Sequence, residues 1–141
     1  MKKIFLDSNI LLDLLLDRIP ESEWAEKVFV LAENNRLEIY CSALSISHLH
    51  YILRKVLGNQ NALIKISNLI KIVRLTDISS KNIHDSIDSS FKDFEDAIQY
   101  HSALQIRNLD FIVTNNHNDF LPSKIDVITA KNFIKIYFPD I

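Results

Sequence analysis

Short apolar runs alternate with helix-like segments along this chain, and the alternation constrains the fold more than any other feature. The apolar runs predict strands at residues 2–6, 37–41, 72–75, 110–114 and 127–128. No hairpin signal joins any two of them. Parallel strands need long crossover connections, and strands covered on both faces appear in a sequence as apolar runs. The pattern therefore predicts a mostly parallel, five-stranded sheet with helices on both faces.

The segments between the strands have helical periodicity or helix-capping residues. They predict helices at residues 9–17, 21–35, 43–57, 59–71, 93–107 and 130–137, and a short helix within the polar stretch 76–90. Gly58 is the residue expected to end the third helix. We find no linker, repeat or low-complexity tract. The 141 residues are therefore predicted to form one domain, residues 1–141, with the α/β class of fold and a three-layer α/β/α sandwich.

Composition excludes several classes of protein. The chain has one glycine, whereas the phosphate-binding loops of nucleotide enzymes need several glycines for close backbone approach. Its one cysteine, Cys41, cannot form an intramolecular disulfide and is predicted to be a core residue. No apolar run is long enough to span a bilayer, and acidic residues interrupt the apolar start of the chain. We therefore expect a cytoplasmic protein without a membrane segment.

The charge balance allows a nucleic-acid substrate without requiring one. The formal net charge is −2, from 16 basic and 18 acidic residues. If five acidic residues are set aside as candidates for a site, 16 basic residues face 13 acidic ones, and the remaining surface has a charge of +3. The five are Asp7, Asp93, Glu95, Asp96 and Asp119.

Polar residues follow two of the predicted strands. Asp7 ends the first strand, and Thr114, Asn115 and Asn116 end the fourth. Ligands of open parallel sheets bind outside the carboxyl ends of the strands. These two strand ends therefore form a candidate site.

The helix predicted at 93–107 adds two carboxylates to that site. On a helical wheel its apolar sector contains Phe94, Ala97, Ile98, His101 and Leu104. Asp93 and Asp96 lie on the adjoining sector, and Glu95 is predicted to point away from both. Two carboxylates three residues apart repel each other and need either a cation or a solvated setting.

Each acid also has a simpler interpretation. Asp7 and Asp93 are common helix N-cap residues, and Asp96 suits the first turn of a helix. Asn116 and Asp119 are common turn residues. Only the combination favours a metal site. If the acids converge, hard oxygen ligands select Mg²⁺ or Mn²⁺, which activate water and stabilise displacement at phosphorus. No Cys or His cluster with zinc spacing competes.

The chain resembles the PIN-domain family in three ordered segments that span nearly its whole length. They are Ile-Phe-Leu-Asp7-Ser8-Asn9, Asp93-Phe-Glu-Asp96-Ala97 and Ile-Val-Thr114-Asn-Asn116-His-Asn-Asp119-Phe120. The resemblance implies a Rossmann-like sandwich with a five-stranded parallel sheet and a nuclease site dependent on Mg²⁺ or Mn²⁺. Compact bacterial members are typically VapC-type toxins, which cleave RNA, form homodimers and are inhibited by a cognate antitoxin protein.

Carried over by position, Asp7 matches the first acid of the family and Asp96 the later helix acid. Asp93 matches an additional acid and Asn9 a frequent polar companion of the first acid. We therefore expect Asp7, Asp96 and Asp93 to bind the metal.

The sequence departs from the family pattern at two positions. His48, within Ser45-Ile46-Ser47-His48-Leu49, stands where the family usually has Glu, and Asn116 stands where it usually has Asp. Asp119 is near enough in sequence to compensate in part for Asn116. His48 borders the apolar side of its helix, so it is a candidate Mn²⁺ ligand, a candidate acid or base, or a boundary residue only.

Three hypotheses about function follow. The first is a toxin-type endoribonuclease in which Asn116 or Asp119 positions substrate or water. The second is an inactive PIN-like module that binds RNA or a protein partner, which the residues at positions 48 and 116 favour. The third is a phosphohydrolase with an aspartate nucleophile, but such enzymes generally have Asp-x-Asp and a downstream lysine, and Asp7-Ser8-Asn9 lacks the second acid.

Overall fold

The computed structural model describes all residues, Met1–Ile141, and has a five-stranded sheet at its centre. The strands are β1 Lys2–Leu6, β2 Leu37–Ser42, β3 Arg74–Thr76, β4 Phe111–Val113 and β5 Val127–Ile128. Their order across the sheet is β3-β2-β1-β4-β5, and every neighbouring pair is parallel. The predicted parallel sheet is confirmed, and β1 lies at its centre.

Seven α-helices connect and cover the strands. They are α1 Ser8–Leu15, α2 Glu21–Glu33, α3 Ala43–Leu57, α4 Asn59–Leu69, α5 Ser80–Ile87, α6 Phe94–Ala103 and α7 Ala130–Tyr137. A 3-10 helix, His117–Phe120, follows β4. The hydroxyl oxygens of Ser42, Ser79 and Thr129 accept backbone N–H groups and so begin α3, α5 and α7. Gly58, at φ 82°, ends α3 in a conformation that favours glycine.

The strand β1 separates two hydrophobic clusters. Successive side chains of a strand point to opposite faces of the sheet. Ile4 and Leu6 accordingly join the larger cluster, which contains 22 buried residues from the sheet and from α1, α2, α3, α4 and α7. Phe5 joins a smaller cluster on the other face, with Tyr100, Ala103, Ile112 and Phe120. Helices cover both faces, and the three-layer sandwich is confirmed.

The helix α6 differs from its prediction in length and in its buried face. It ends at Ala103, because Gln105 and Ile106 bond to carbonyl groups only three residues earlier and the chain tightens before β4. Two residues of the predicted apolar sector, Phe94 and Leu104, are not buried, since their side chains are 50% and 49% exposed.

Phe94 and Leu104 are exposed because of the direction in which α6 packs. The sector that contains Ala97, Tyr100 and Ala103 is buried, and the last two lie in the cluster formed with Phe5 of β1 and Ile112 of β4. His101, predicted to be in the apolar sector, is half-buried beside α5, and its Nδ1 lies 3.1 Å from Ser86 Oγ.

Two predictions from composition can be compared with the structure. Cys41 is buried in the larger cluster, and burial raises the pKa of its thiol to about 12, so it is a core residue as expected. None of the seven helices combines the length and the apolar character that a membrane span requires.

Candidate active site

A polar cleft of about 240 Å³ lies at the carboxyl ends of β1 and β4, beside the start of α6. Ten residues line it, none of them apolar: Asp7, Ser8, Asn9, His48, Asp93, Glu95, Asp96, Gln99, Asn116 and Asp119. The chain extends the sheet to one side of β1 through β2 and to the other through β4, which is the topology that opens a crevice. All six residues proposed from the sequence as catalytic or metal-binding line this one cleft.

Asp7 occupies the N-cap position of α1 but makes no side-chain cap hydrogen bond. Its Oδ2 instead accepts a hydrogen bond of 2.8 Å from Thr114 Oγ1, at the end of β4. The side chain is buried, and this burial raises the pKa of Asp7 against the opposing effect of hydrogen bonds from Thr114, Ser8 and Gln99. The interpretation of Asp7 as a simple helix cap is therefore wrong.

Thr114 links the two strand ends. It is fully buried, its hydroxyl donates to Asp7, and its Oγ1 accepts the backbone N–H of Asn116 at 3.0 Å. One side chain thus fixes the first carboxylate and the start of the loop after β4. Thr114 was present in the sequence motif, but its role was not predicted.

A buried network of hydroxyl and amide groups supports the cleft from below. Ser45 Oγ lies 2.7 Å from Ser8 Oγ and donates to Gln99 Oε1 at 3.4 Å. The Gln99 side chain also donates to Asp7, which lowers the pKa of that carboxyl. Gln99 was missed from the sequence, although its position three residues after Asp96 places both on one side of a helix.

The helix α6 presents two aspartates with different surroundings. Asp93 is exposed and caps the helix, accepting the backbone N–H of Asp96 at 2.9 Å. Asp96 is half-buried. Burial, together with the charges of nearby carboxylates, raises its pKa to about 7. Those carboxylates are Asp7, Asp93, Asp119 and Glu95.

Glu95 corrects one prediction. It was expected to point away from the aspartates, but it lines the same cleft, and its Oε1 lies 3.4 Å from His48 Nδ1. The physical reason is its place in the first turn of α6, from which a long side chain reaches α3 and meets the imidazole there. His48 therefore lines the candidate site beside Glu95.

The loop after β4 contributes the last two predicted residues. Asn116 and Asp119 are both exposed and both line the cleft. The charge of Asp119 acts on Asp7 as well as on Asp96 and raises the pKa of each. Asp119 thus supplies negative charge near the position where the family usually has an acid and this chain has Asn116.

The donor set fits a hard divalent cation that keeps part of its hydration. The cleft offers carboxylate, amide and hydroxyl oxygens, which are the ligands of Mg²⁺ and Mn²⁺. No three His, Cys, Asp or Glu side chains converge closely enough to enclose an ion by themselves. Mg²⁺ is commonly held by one or two carboxylates and several waters, so such enclosure is not required.

Three solved structures illustrate the similarity of this fold to known proteins. A chain of VapBC2 from Rickettsia felis, bound to a DNA fragment from the promoter, is 18% identical with a TM-score of 0.67, over 90% of this chain and 98% of that one. A chain of a toxin–antitoxin complex from Klebsiella pneumoniae is 22% identical with a TM-score of 0.62, over 90% and 97%. VapC20 of Mycobacterium tuberculosis, a toxin that cleaves the sarcin–ricin loop, is 13% identical with a TM-score of 0.59, over 77% and 86%.

No curated protein sequence matches the chain. A family model described as the PIN domain, however, matches residues 3–118, which include every residue of the cleft except Asp119. The chain therefore belongs to the PIN-domain family.

Proposed function

We propose that this protein is an endoribonuclease of the toxin type that depends on a divalent cation, Mg²⁺ or Mn²⁺. The observation that carries the proposal is the crowding of five carboxylates around one cleft, where burial and the neighbouring negative charges together raise the pKa of Asp96 to about 7. Like charges at such a place destabilise the metal-free protein, and a bound cation offsets that cost.

In this proposal Asp7 and Asp96 hold the ion, and Asp93 supports it directly or through water. A bound Mg²⁺ or Mn²⁺ supplies water activation and charge neutralisation for in-line displacement at phosphorus. Thr114 and Gln99 hold the Asp7 carboxylate in place, and Asn116 or Asp119 orients the substrate or the attacking water. The attacking water would pass a proton to a base as its oxygen bonds to phosphorus, one ester P–O bond would break, and the leaving oxygen would take up a proton.

His48 is the proposed source or acceptor of a proton. Its Nδ1 is held near Glu95, so Nε2 remains to exchange a proton with a group in the cleft. Histidine is suited to this because its charge changes near neutral pH.

The substrate and the partner are proposed from the similar structures. VapC20 is a toxin that cleaves the sarcin–ricin loop, and two of the other similar folds come from toxin–antitoxin complexes. These likenesses support RNA as the substrate and an antitoxin protein as the inhibitory partner. Homodimer formation and a cytoplasmic location remain predictions.

The experiment that tests the proposal is RNA cleavage by the purified protein with added Mg²⁺ or Mn²⁺ and with a chelator. Asp7→Asn and Asp96→Asn are expected to abolish most cleavage. Asp140→Asn, which changes an exposed acid outside the cleft, is the matched control and should cleave normally. Equal cleavage by all four proteins would refute the proposal.

A second candidate function is a non-catalytic module that binds RNA or a protein partner. The contact between His48 and Glu95 favours it, because these two cleft side chains already pair with each other. No three His, Cys, Asp or Glu side chains lie close enough to enclose an ion by themselves, which also favours it. RNA binding that persists with a chelator, without cleavage of any RNA, would establish this function. The aspartate-nucleophile hypothesis receives no support, since no lysine lines the cleft.

A further inference from the structure

A second pocket lies on the other side of the loop that follows β4. Its volume is about 320 Å³, within the range of pockets that hold small molecules, roughly 300–1,000 Å³. Its lining residues are Pro20, Glu21, Trp24, Asn115, Thr129 and Lys131. Asn115 belongs to this pocket and the next residue, Asn116, to the acidic cleft, so the two cavities share one short stretch of chain.

Trp24 provides an aromatic surface in this second pocket. It is only half-buried, packing on one side against the larger hydrophobic cluster and lining the pocket on another. Aromatic side chains beside a nucleic-acid channel serve as stacking platforms for unpaired bases. Trp24 thus presents part of its ring to the pocket in addition to its role in core packing.

Three lysines lie on or near this pocket, which one acidic residue, Glu21, also lines. Lys27 Nζ lies 5.0 Å and Lys135 Nζ 5.8 Å from the Trp24 ring. Lys131, at the start of α7, lines the pocket and is exposed. Lysines placed around a stacking surface suit the phosphates attached to a bound nucleotide.

Polar groups in the pocket retain hydrogen-bonding capacity for the edge of a base. The Asn115 side chain donates one hydrogen bond to Asp13 Oδ2 at 3.1 Å, which fixes its position and leaves its amide oxygen and second N–H free. Thr129 Oγ1 accepts the backbone N–H of Asn132 at 3.1 Å, so its hydroxyl hydrogen can still be donated.

We propose that the Trp24 pocket binds one unpaired nucleobase of a single-stranded RNA whose neighbouring phosphate lies in the acidic cleft. The base stacks on Trp24, its edge bonds to Asn115 and Thr129, and Lys131 contacts the attached phosphate. The site thereby selects where the strand is cut. This inference rests on the proposed nuclease function, because that function places RNA in the adjoining cleft.

The test uses the fact that Trp24 is the only tryptophan of the chain. Asp7→Asn protein with Mg²⁺, which is expected to bind RNA without cutting it, is titrated with a single-stranded oligoribonucleotide of about eight nucleotides. Saturable quenching of tryptophan fluorescence is expected. Quenching should be lost when one particular nucleotide is made abasic and retained when the others are.

Variants test whether the tryptophan contributes to affinity. In the Asp7→Asn background, Trp24→Leu should weaken binding of labelled RNA about 5- to 100-fold, which corresponds to the usual loss of one stacked base. Trp24→Phe should weaken it less, and Lys131→Glu should weaken it without changing the fold. The matched control is Tyr137→Leu, at another aromatic residue with a lysine, Lys2, over its ring, but outside both cavities.

The possible outcomes separate this inference from the proposed function. If RNA is cleaved but Trp24 fluorescence does not change at saturation, and Trp24→Phe and Lys131→Glu bind RNA normally, the base site is refuted and the nuclease remains. If no RNA is cleaved yet abasic substitution removes the quenching, the nuclease is refuted and the base site remains. Quenching by a protein partner, with no quenching by RNA, would also refute the base site.

Discussion

An aspartate occupies the N-cap position of both α1 and α6, but the two side chains have different roles. Asp93 caps α6 in the ordinary way, accepting the N–H of Asp96 at 2.9 Å while its side chain remains exposed. Asp7 precedes α1 with similar extended backbone angles but makes no cap hydrogen bond. Its carboxylate is buried and bonded to Thr114 instead.

The difference shows that the local sequence around an aspartate does not determine its role. Asp93 stabilises the helix that it precedes, which is worth about 1 kcal/mol at a typical N-cap. Asp7 makes no such contribution to α1. Burial raises the pKa of Asp7, so its ionised form destabilises the metal-free protein. A buried carboxylate that does not serve its own helix is a candidate for function.

The largest expected difference between the two aspartates is in catalysis. Asp7→Asn should reduce metal-dependent RNA cleavage by about 10³-fold, because a metal supplies several kcal/mol of transition-state stabilisation. Asp93→Asn, which keeps a good capping residue, should reduce it by about 10-fold or less. Initial rates at saturating Mg²⁺ measure both. Equal losses of cleavage rate in the two variants would contradict the proposed difference between Asp7 and Asp93.

The next effect concerns the hydrogen bond that holds Asp7. Thr114→Val keeps the volume but removes the hydroxyl, which leaves the buried Asp7 carboxylate and the Asn116 N–H without this partner. The free energy of unfolding should fall by about 1–3 kcal/mol. Urea denaturation measures the change, and Thr114→Ser, which keeps the hydroxyl, should lose less. Greater stability of the valine variant would show that the hydroxyl is not needed.

A smaller effect is expected at the exposed cap. Asp93→Ala should lower the free energy of unfolding by about 1 kcal/mol, because the N–H of Asp96 loses its acceptor. Asp93→Asn should be close to the parent protein, since asparagine caps helices as well as aspartate does. Thermal unfolding with a chelator present compares the three. If Asn destabilised as much as Ala, charge and not capping would account for the role of Asp93.

The smallest effect is the pH dependence that Asp96 imposes on the metal-free protein. Its folded-state pKa of about 7 lies above the usual 3.8, so the folded protein holds this proton more tightly than the unfolded chain. The contribution of Asp96 to the free energy of unfolding is therefore greatest below about pH 4. It falls as the pH rises from about 4 to about 7 and is lost above about pH 7. Asp96→Asn should remove this dependence.

At pH 8 the Asp96→Asn variant should be more stable than the parent in chelator, by less than about 1 kcal/mol after solvent screening of this half-exposed side chain. The gain should disappear near pH 4. Melting curves at several pH values measure it. A variant that is less stable at pH 8 would show that the neighbouring carboxylates do not repel Asp96 in solution.

The fold was predictable from sequence because its signals are local. Apolar runs mark the strands, and residues such as Gly58 and Thr129 mark helix ends. The end of α6 was missed because its last predicted residues form tighter turns that lead back to the sheet. The outward positions of Phe94 and Leu104 depend on how α6 packs on β1 and β4, which a helical wheel does not contain.

The residues of the cleft were predictable as a set, whereas their connections were not. Strand ends and helix spacing bring Asp7, Asp96 and Asn116 to one edge of the sheet. The bond from Thr114 to Asp7, the Ser45–Gln99 contact and the meeting of Glu95 with His48 join distant parts of the chain. Such pairings depend on side-chain direction and reach after packing, and periodicity gives no information on them.

The hydrogen bond between Thr114 and Asp7 joins residues 107 positions apart. During synthesis Asp7, Asp93 and Asp96 are therefore incorporated before Thr114, whose hydroxyl fixes the Asp7 carboxylate. Until β4 is added beside β1, the sheet also lacks one wall of the crevice. A partly synthesised chain would thus lack the completed cleft, and the proposed ribonuclease activity would begin only after β4 has been made and paired with β1.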